Sequence, residues 1–300
     1  MPHEFVVAGA WPGFDGERLL ADARRICTAQ IAFWHGRRKP AFERYVFLLW
    51  AVEDGYGGLE HRASTALIAN RRDLPRHGQR QASEGYVNLL GLISHEYFHT
   101  WNVKRLKPRE FLRYDYSREN YTELLWFFEG FTSYYDDLFL QRTGLIDAAQ
   151  YLKLLGRTIN GVRQTPGREV QSVAQASFDA WNKYYRTDEN TPNATVSYYT
   201  KGSLIALLLD LRLRSAEQPG SLDELMRLLW QRHARSGLTE ADILAAVAEC
   251  GGAALADELA GWVHGRGDLP LEAALLAAGI QIDRKSTRLN SSHSQQSRMP

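Results

Sequence analysis

Along this 300-residue chain the apolar positions change their period. Residues 4–8 form a short β-like run, followed by a Pro/Gly turn at 11–16. From Arg18 the apolar residues Leu19, Leu20, Ala23, Ile26, Cys27 and Ile31 recur at helical spacing, which predicts an amphipathic helix over 18–34. Residues 44–52 (RYVFLLWAV) are dense in β-branched and aromatic side chains and predict a buried strand. Gly55 to Gly58 then demands a turn or a close backbone approach, and residues 65–69 predict a second short strand. Beyond a polar loop at 71–83, a helix is expected over 87–101. Another is expected over 121–143, apolar at Leu124, Leu125, Phe128, Phe131 and Tyr135 and ended by Gly144. Residues 165–194 read as loop-rich with helical pieces around 170–181. From Gly202 onward nearly everything reads as helix, with a capping box at Ser221 and Glu224 and an N-cap at Thr239. The predicted class is α+β, mainly α: a small N-terminal β-rich part, then a helical body without internal repeats.

Residues 285–300 (KSTRLNSSHSQQSRMP) have almost no apolar residues and no periodicity. They cannot bury a face, so 284–300 is expected to be a disordered tail. The stretch resembles a translated sequencing-adapter tail rather than native protein, and His293 is set aside as a ligand. The remaining chain divides into a core at 1–200 and a C-terminal helical region at 201–283 packing on it.

Composition narrows the chemistry. Hydrophobic content of 44% and charged content of 24% are those of an ordinary globular protein. Lys+Arg 36 against Asp+Glu 35 leaves a formal charge of +1, which gives no reason to expect nucleic acid or an anionic membrane as partner. No apolar run reaches the roughly 18 residues of a membrane span, and the start lacks the pattern of a secretory leader. The reading is cytoplasmic, with any leader lost if the true N-terminus is missing. Cys27 and Cys250 are the only cysteines. They cannot build a disulfide framework or a cysteine metal site, which leaves histidine and carboxylate as ligands.

Those ligands have an obvious source in His95-Glu96-Tyr97-Phe98-His99. On a helix the i and i+4 imidazoles lie on one face and can reach one tetrahedral cation, with Glu96 beside the open position as a base. With 9 histidines in 300 residues, chance would produce H-E-x-x-H in roughly one such chain in a hundred. A catalytic zinc normally has three protein ligands. The best third supplier is Glu129, set among Trp126, Phe127, Phe128 and Phe131, where an unpaired carboxylate would be costly to bury and coordination removes that cost. Asp136 and Asp137 are the runners-up. Asp136, seven residues on and so on the same helix face, reads better as a group orienting a ligand histidine. Lys104, Arg105 and Lys107 read as a solvated basic face.

Four segments in order, YGGLEHRAST, HEYFHTWNVKRLKP, LLWFFEGFTSYYDDL and SYYTKG, resemble the glycyl aminopeptidase family of gluzincin metallopeptidases, more distantly similar to the aminopeptidase N and leukotriene hydrolase group. The likeness covers about residues 1–283. It implies a thermolysin-like zincin catalytic domain with one zinc held by His95, His99 and Glu129, and Glu96 as general base. The interval from His99 to Glu129 is longer than in the aminopeptidase N group but not than in the glycyl aminopeptidases. The resemblance further implies that Tyr199, in Tyr199-Thr200-Lys201-Gly202, donates to the oxyanion, an interaction typically contributing about 2.7–4 kcal/mol. It implies that Gly57, Gly58 and Glu60 bind substrate: the glycines let a peptide lie alongside as an added strand, and Glu60 holds its free α-ammonium. His61 replaces an asparagine of the related segment.

The implied activity is hydrolysis after a small N-terminal residue, glycine or alanine, by zinc-activated water on a peptide substrate. A catalytically inactive zincin-fold peptide-binding module, or a zinc hydrolase acting on a non-peptide bond such as an epoxide, are the alternatives. Full-length family members carry a β domain before this part and a PDZ domain after it, so the chain reads as the catalytic core of a truncated protein.

Overall fold

The computed structural model of the chain describes residues 1–215 and 219–282. The tail expected at 284–300 lies outside the described residues. The N-terminal third builds a four-stranded sheet from β1 (His3–Ala8), β2 (Tyr45–Val52), β3 (Gly57–Glu60) and β4 (Ser64–Asn70), with α1 (Gly16–His35) crossing between β1 and β2. The strand order is β1-β2-β4-β3. β1, β2 and β4 are parallel, while β3 turns back antiparallel on β4 and forms the edge, Gly58 opposite Leu67 and Glu60 opposite Thr65. Alternation is clean along β2 and β4: Phe47, Leu49, Leu67 and Ala69 point inward and are buried, while Leu48, Trp50 and Ile68 point outward and are exposed. With Val6 paired to Leu48, Trp50 to Ile68, and Leu59 on the edge, the outer face of the sheet is apolar and open.

The inner face packs on α2 (Glu84–Phe98), whose start is capped by Ser83 and which is buried nearly all round, as expected of a central helix. Phe33 and Trp34 of α1, Phe98 at the end of α2, and Tyr135 and Phe139 of the helix Gly130–Arg142 form one aromatic cluster with ring centroids 4.8–6.0 Å apart. Each such ring, fully buried, contributes on the order of 1.5–3 kcal/mol. Gln30 of α1 donates to the backbone oxygen of Ser94 and to its Oγ, and the Ser94 hydroxyl donates to the backbone oxygen of Asp136. Three helices are thereby fixed in register beside His95.

The helix expected over 121–143 begins only at Leu125; α3 (Leu125–Phe128) and α4 (Gly130–Arg142) meet at Glu129, which keeps αR dihedrals, donates its N–H to the Leu125 carbonyl and accepts from the Ser133 N–H. α5 (Ala148–Gln164), introduced by a capping box of Asp147 and Gln150, lies where no element was predicted. α6 (Val173–Phe178), a π turn at Ala180–Tyr184 and α7 (Thr191–Ala194) occupy the loop-rich region. α8 (Thr200–Arg214), α9 (Leu222–His233), α10 (Glu240–Gly251), α11 (Ala253–His264) and α12 (Leu271–Ala277) complete the helical body. Thr239 caps α10 in a box with Asp242, whereas at α9 only half of the expected box forms: Ser221 Oγ accepts from Glu224 N, and the Glu224 carboxylate takes the Ser221 hydroxyl rather than its backbone N–H.

The start of α4 packs closely against another helix. Gly130 at the start of α4 lies against Gly202 in the first turn of α8: a Cβ on Gly130 would come within 2.5 Å of the Gly202 Cα, and one on Gly202 within 2.6 Å of the Trp126 carbonyl oxygen. Two helices approach this closely only where both lack side chains. Lys201 secures the same turn, its Nζ donating to the Gly267 carbonyl at 2.9 Å. Gly202→Ala is therefore expected to lower unfolding free energy by about 1–3 kcal/mol in denaturant titrations, through overpacking. Gly156→Ala, at a helical position with nothing within 4 Å, should raise it by about 0.5–1 kcal/mol.

Candidate metal centre and cleft

His95 lies in the last turn of α2 and His99 is its C-cap residue. Their Nε2 atoms stand 3.1 Å apart with the rings nearly perpendicular. Glu129 Oε2, from the residue where α3 and α4 meet, is 3.3 Å from His95 Nε2 and 3.1 Å from His99 Nε2. The other ring nitrogens are committed: His95 Nδ1 donates to Asp136 Oδ2 at 3.0 Å and His99 Nδ1 to the Asn102 carbonyl at 2.8 Å. A neutral imidazole protonated at Nδ1 has its lone pair at Nε2. Two such lone pairs and a carboxylate oxygen thus face one another at close range, an arrangement that is repulsive unless a metal cation or a bound proton lies between them. Zinc bonds to N and O ligands are about 2.0–2.1 Å, so a tetrahedral edge is roughly 3.3 Å. The three observed separations fit that edge, and among the described residues these three side chains form the group able to hold a metal ion.

The local charges follow from the same crowding. Burial acts to lower both histidines, but Asp136 and Glu129 outweigh it at His95, and Glu129 at His99, so both are raised. Burial acts to raise Glu129, yet the two imidazoles hold it below the usual carboxylate range. Burial raises Asp136, and burial with the charge of Asp136 pushes Asp137 up to about 8. Asp136, not Asp137, makes the contact with His95.

Glu96 lies between the ligand cluster and β3, near enough for the charges of His95, His99 and Glu129 to act on it. It is 5% exposed, its Oε2 is buried without a protein partner, and burial raises its carboxyl. Gly58 makes room for it, since a Cβ there would overlap the Glu96 carboxylate. Glu60, two residues along the same strand face, is near enough for its charge to act on both Glu96 and His99. Gly57 is on the opposite side of the strand, where a Cβ would meet nothing within 4 Å. Tyr199, immediately before α8, places its ring 6.1 Å from that of His95, and its hydroxyl is 3.4 Å from the hydroxyl of Tyr185. Burial, then the charge of Glu129, pushes its pKa far up, so it is a neutral phenol. Tyr198 is fully buried and stacks on Tyr184 and Tyr199, which resolves the choice between the adjacent tyrosines in favour of Tyr199 as the one beside the ligands.

Around the ligand cluster the structure gathers Glu96, Gly58, Glu60, Asp136 and Tyr199, while Gly57 lies on the other side of β3 and Asp137 makes no contact with His95. The basic run after α2 is not a solvated face: Lys104 pairs with Glu60, Arg105 donates to the Thr100 and Arg62 carbonyls, and Lys107 stands over the Tyr114 ring. The turn from Asn102 to Lys104 folds back onto the site instead. His61 bonds the backbone carbonyl of Leu59 and faces solvent. Asn102 and Tyr185 went unrecognised in sequence because their roles depend on a backbone carbonyl and on an exposed loop tyrosine, neither of which leaves a spacing signal. Replacing Asp136 with Asn should weaken metal affinity about 10–100-fold by loosening His95. Competition with a chelating dye measures this, and Asp137→Asn should change it far less.

Residues 88–205 match the family described as M61 glycyl aminopeptidase. A comparison with curated proteins gives no match. Among solved structures, an aminopeptidase N family protein from Idiomarina loihiensis is 41% identical with a TM-score of 0.87, over 91% of this chain and 46% of that one. An M1 zinc metallopeptidase from Deinococcus radiodurans is 17% identical with a TM-score of 0.55, over 89% of this chain and 49% of that one. A mutant of that enzyme bound to a Tyr-Ser-Ala substrate gives a TM-score of 0.51 at 17% identity, over 89% of this chain and 49% of that one. The chain spans about half the length of these structures. The matched segment holds both histidines, Glu96, Glu129 and Tyr199, and this part of the chain is similar to the M61 glycyl aminopeptidase family.

Proposed function

We propose that this domain is a zinc-dependent aminopeptidase core that releases small N-terminal residues, glycine or alanine, from peptides. The observation that carries the reading is the convergence of His95 Nε2, His99 Nε2 and Glu129 Oε2 at tetrahedral spacing, with a buried carboxylate, Glu96, beside them. A zinc ion held by those three side chains would acidify a water and polarise the scissile carbonyl. Glu96 takes the proton of the attacking water and hands it to the leaving amine, a task suited to a carboxylate whose proton affinity burial has raised. Tyr199, a neutral donor, stabilises the developing oxyanion. The open edge of β3 at Gly57 and Gly58 accepts the peptide as an added strand, and Glu60 holds the free α-ammonium. The preference for glycine or alanine rests on the likeness of residues 88–205 to the glycyl aminopeptidase family.

Residues 1–200 form the peptidase core in this reading, and 201–283 the helical region that packs on it. The open apolar face of the sheet, with Val6, Leu48, Trp50 and Ile68 exposed, is the kind of surface a preceding β domain would cover. The PDZ domain expected after the core belongs to the same proposal.

Gly- and Ala-p-nitroanilide should be cleaved by the zinc-loaded protein, and a chelator should abolish cleavage. Zinc-loaded protein without chelator-sensitive cleavage of any peptide or anilide would refute the proposal. Glu96→Gln should keep stoichiometric zinc while kcat falls about 10²–10⁴-fold. Tyr199→Phe should lower kcat about 10²–10³-fold with zinc content unchanged.

A further inference from the structure

Glu60 already has a cation. Its Oε1 lies 2.8 Å from Lys104 Nζ, and the two side chains are only 18% and 25% exposed. Lys104 reaches it through a turn that also serves the metal ligands. The Asn102 carbonyl accepts from His99 Nδ1, and the Lys104 N–H donates to the His99 carbonyl at 3.0 Å. Between them Val103 has φ of 127°, a region that a β-branched residue rarely adopts. The chain reverses sharply here and brings a primary ammonium to the strand that, in the reading above, receives the substrate's own ammonium.

We propose that Lys104 Nζ is the built-in occupant of the α-ammonium subsite, and that a peptide N-terminus binds by exchanging with it at Glu60. The inference rests on the assignment of Glu60 to the substrate amine. Both groups are ammoniums with three N–H donors and one positive charge, so they compete for the same carboxylate. The exchange keeps Glu60 paired in the resting cleft, where an unpaired charge so little exposed would be costly. It also lowers affinity for every free amine, including the amino acid left after cleavage. Return of Lys104 to Glu60 then helps to expel that product. Lys104 thus determines how tightly a free N-terminus is held, and it has no such effect on an N-blocked ligand.

Calorimetric binding of glycinamide and of N-acetylglycinamide to the zinc-loaded chain tests this independently of turnover, alongside kcat and KM for Gly-p-nitroanilide. Lys104→Met should bind glycinamide about five-fold tighter, the upper range for a partly exposed ion pair, and lower KM by a similar factor. N-acetylglycinamide binding should not change. Lys104→Arg, which can grip a carboxylate with two parallel donors, should weaken glycinamide binding, and it carries the test if the Met variant does not fold. Equal or weaker glycinamide binding by Lys104→Met, or equal or tighter binding by Lys104→Arg, overturns the inference. Glu60→Gln separates this outcome from failure of the underlying reading. If it weakens glycinamide binding, Glu60 is the amine site whatever Lys104 does; if it leaves binding unchanged, the Glu60 assignment falls and the inference with it.

Discussion

Three electron-pair donors meeting within 3.3 Å inside a protein form an unstable arrangement unless something positive lies among them, and the rest of this structure is organised around that constraint. Asp136 and the Asn102 carbonyl hold the two imidazoles by their far nitrogens, which turns both near nitrogens inward. Ser94, bonded on one side to Gln30 and on the other to the backbone of Asp136, ties the supporting carboxylate to two neighbouring helices. The aromatic cluster of α1, α2 and α4 supplies the rigidity that such placement needs. Positions a few tenths of an ångström apart decide whether a tetrahedral ion fits, so the support matters as much as the ligands.

Glycine sets the distances at which the other chemical groups stand. Gly58 leaves space for the Glu96 carboxylate under the edge strand, and the contact of Gly130 with Gly202 brings the first turn of α8 close enough for Tyr199 to face the ligands. This explains physically why Gly202 ends the Tyr-Thr-Lys-Gly segment and why Lys201 is turned inward to the Gly267 carbonyl. The two flanking residues are packing devices that position the tyrosine.

The metal cluster was legible in the sequence because its signals are local or nearly so. The i, i+4 imidazoles need only a helix, Glu129 stands out as a lone acid in an aromatic run, and Asp136 is two turns further along. The later start of the second helix, at Leu125, leaves Glu129 and Asp136 in helical register, with Asp136 in contact with His95. What could not be read was long-range. Gly130 approaches a helix more than seventy residues away, and β3 becomes a strand only by pairing with β4. Lys104 was misread as solvated because hydropathy places a Lys-Arg-Leu-Lys run at the surface, whereas the reversal at Val103 turns it onto Glu60. α5 was missed although its Asp147 and Gln150 box and its spacing of Leu155, Ile159 and Val162 were present in the sequence.

The most direct measurement is zinc K-edge X-ray absorption on the chain loaded with one equivalent of zinc. The account predicts a four-coordinate shell of two imidazole nitrogens and two oxygens, one of them from a carboxylate, at about 2.0–2.1 Å, losing its carboxylate oxygen in a Glu129→Ala variant. A sulfur ligand, a shell of water oxygens without imidazole, or a spectrum unaltered by loss of Glu129 would contradict it.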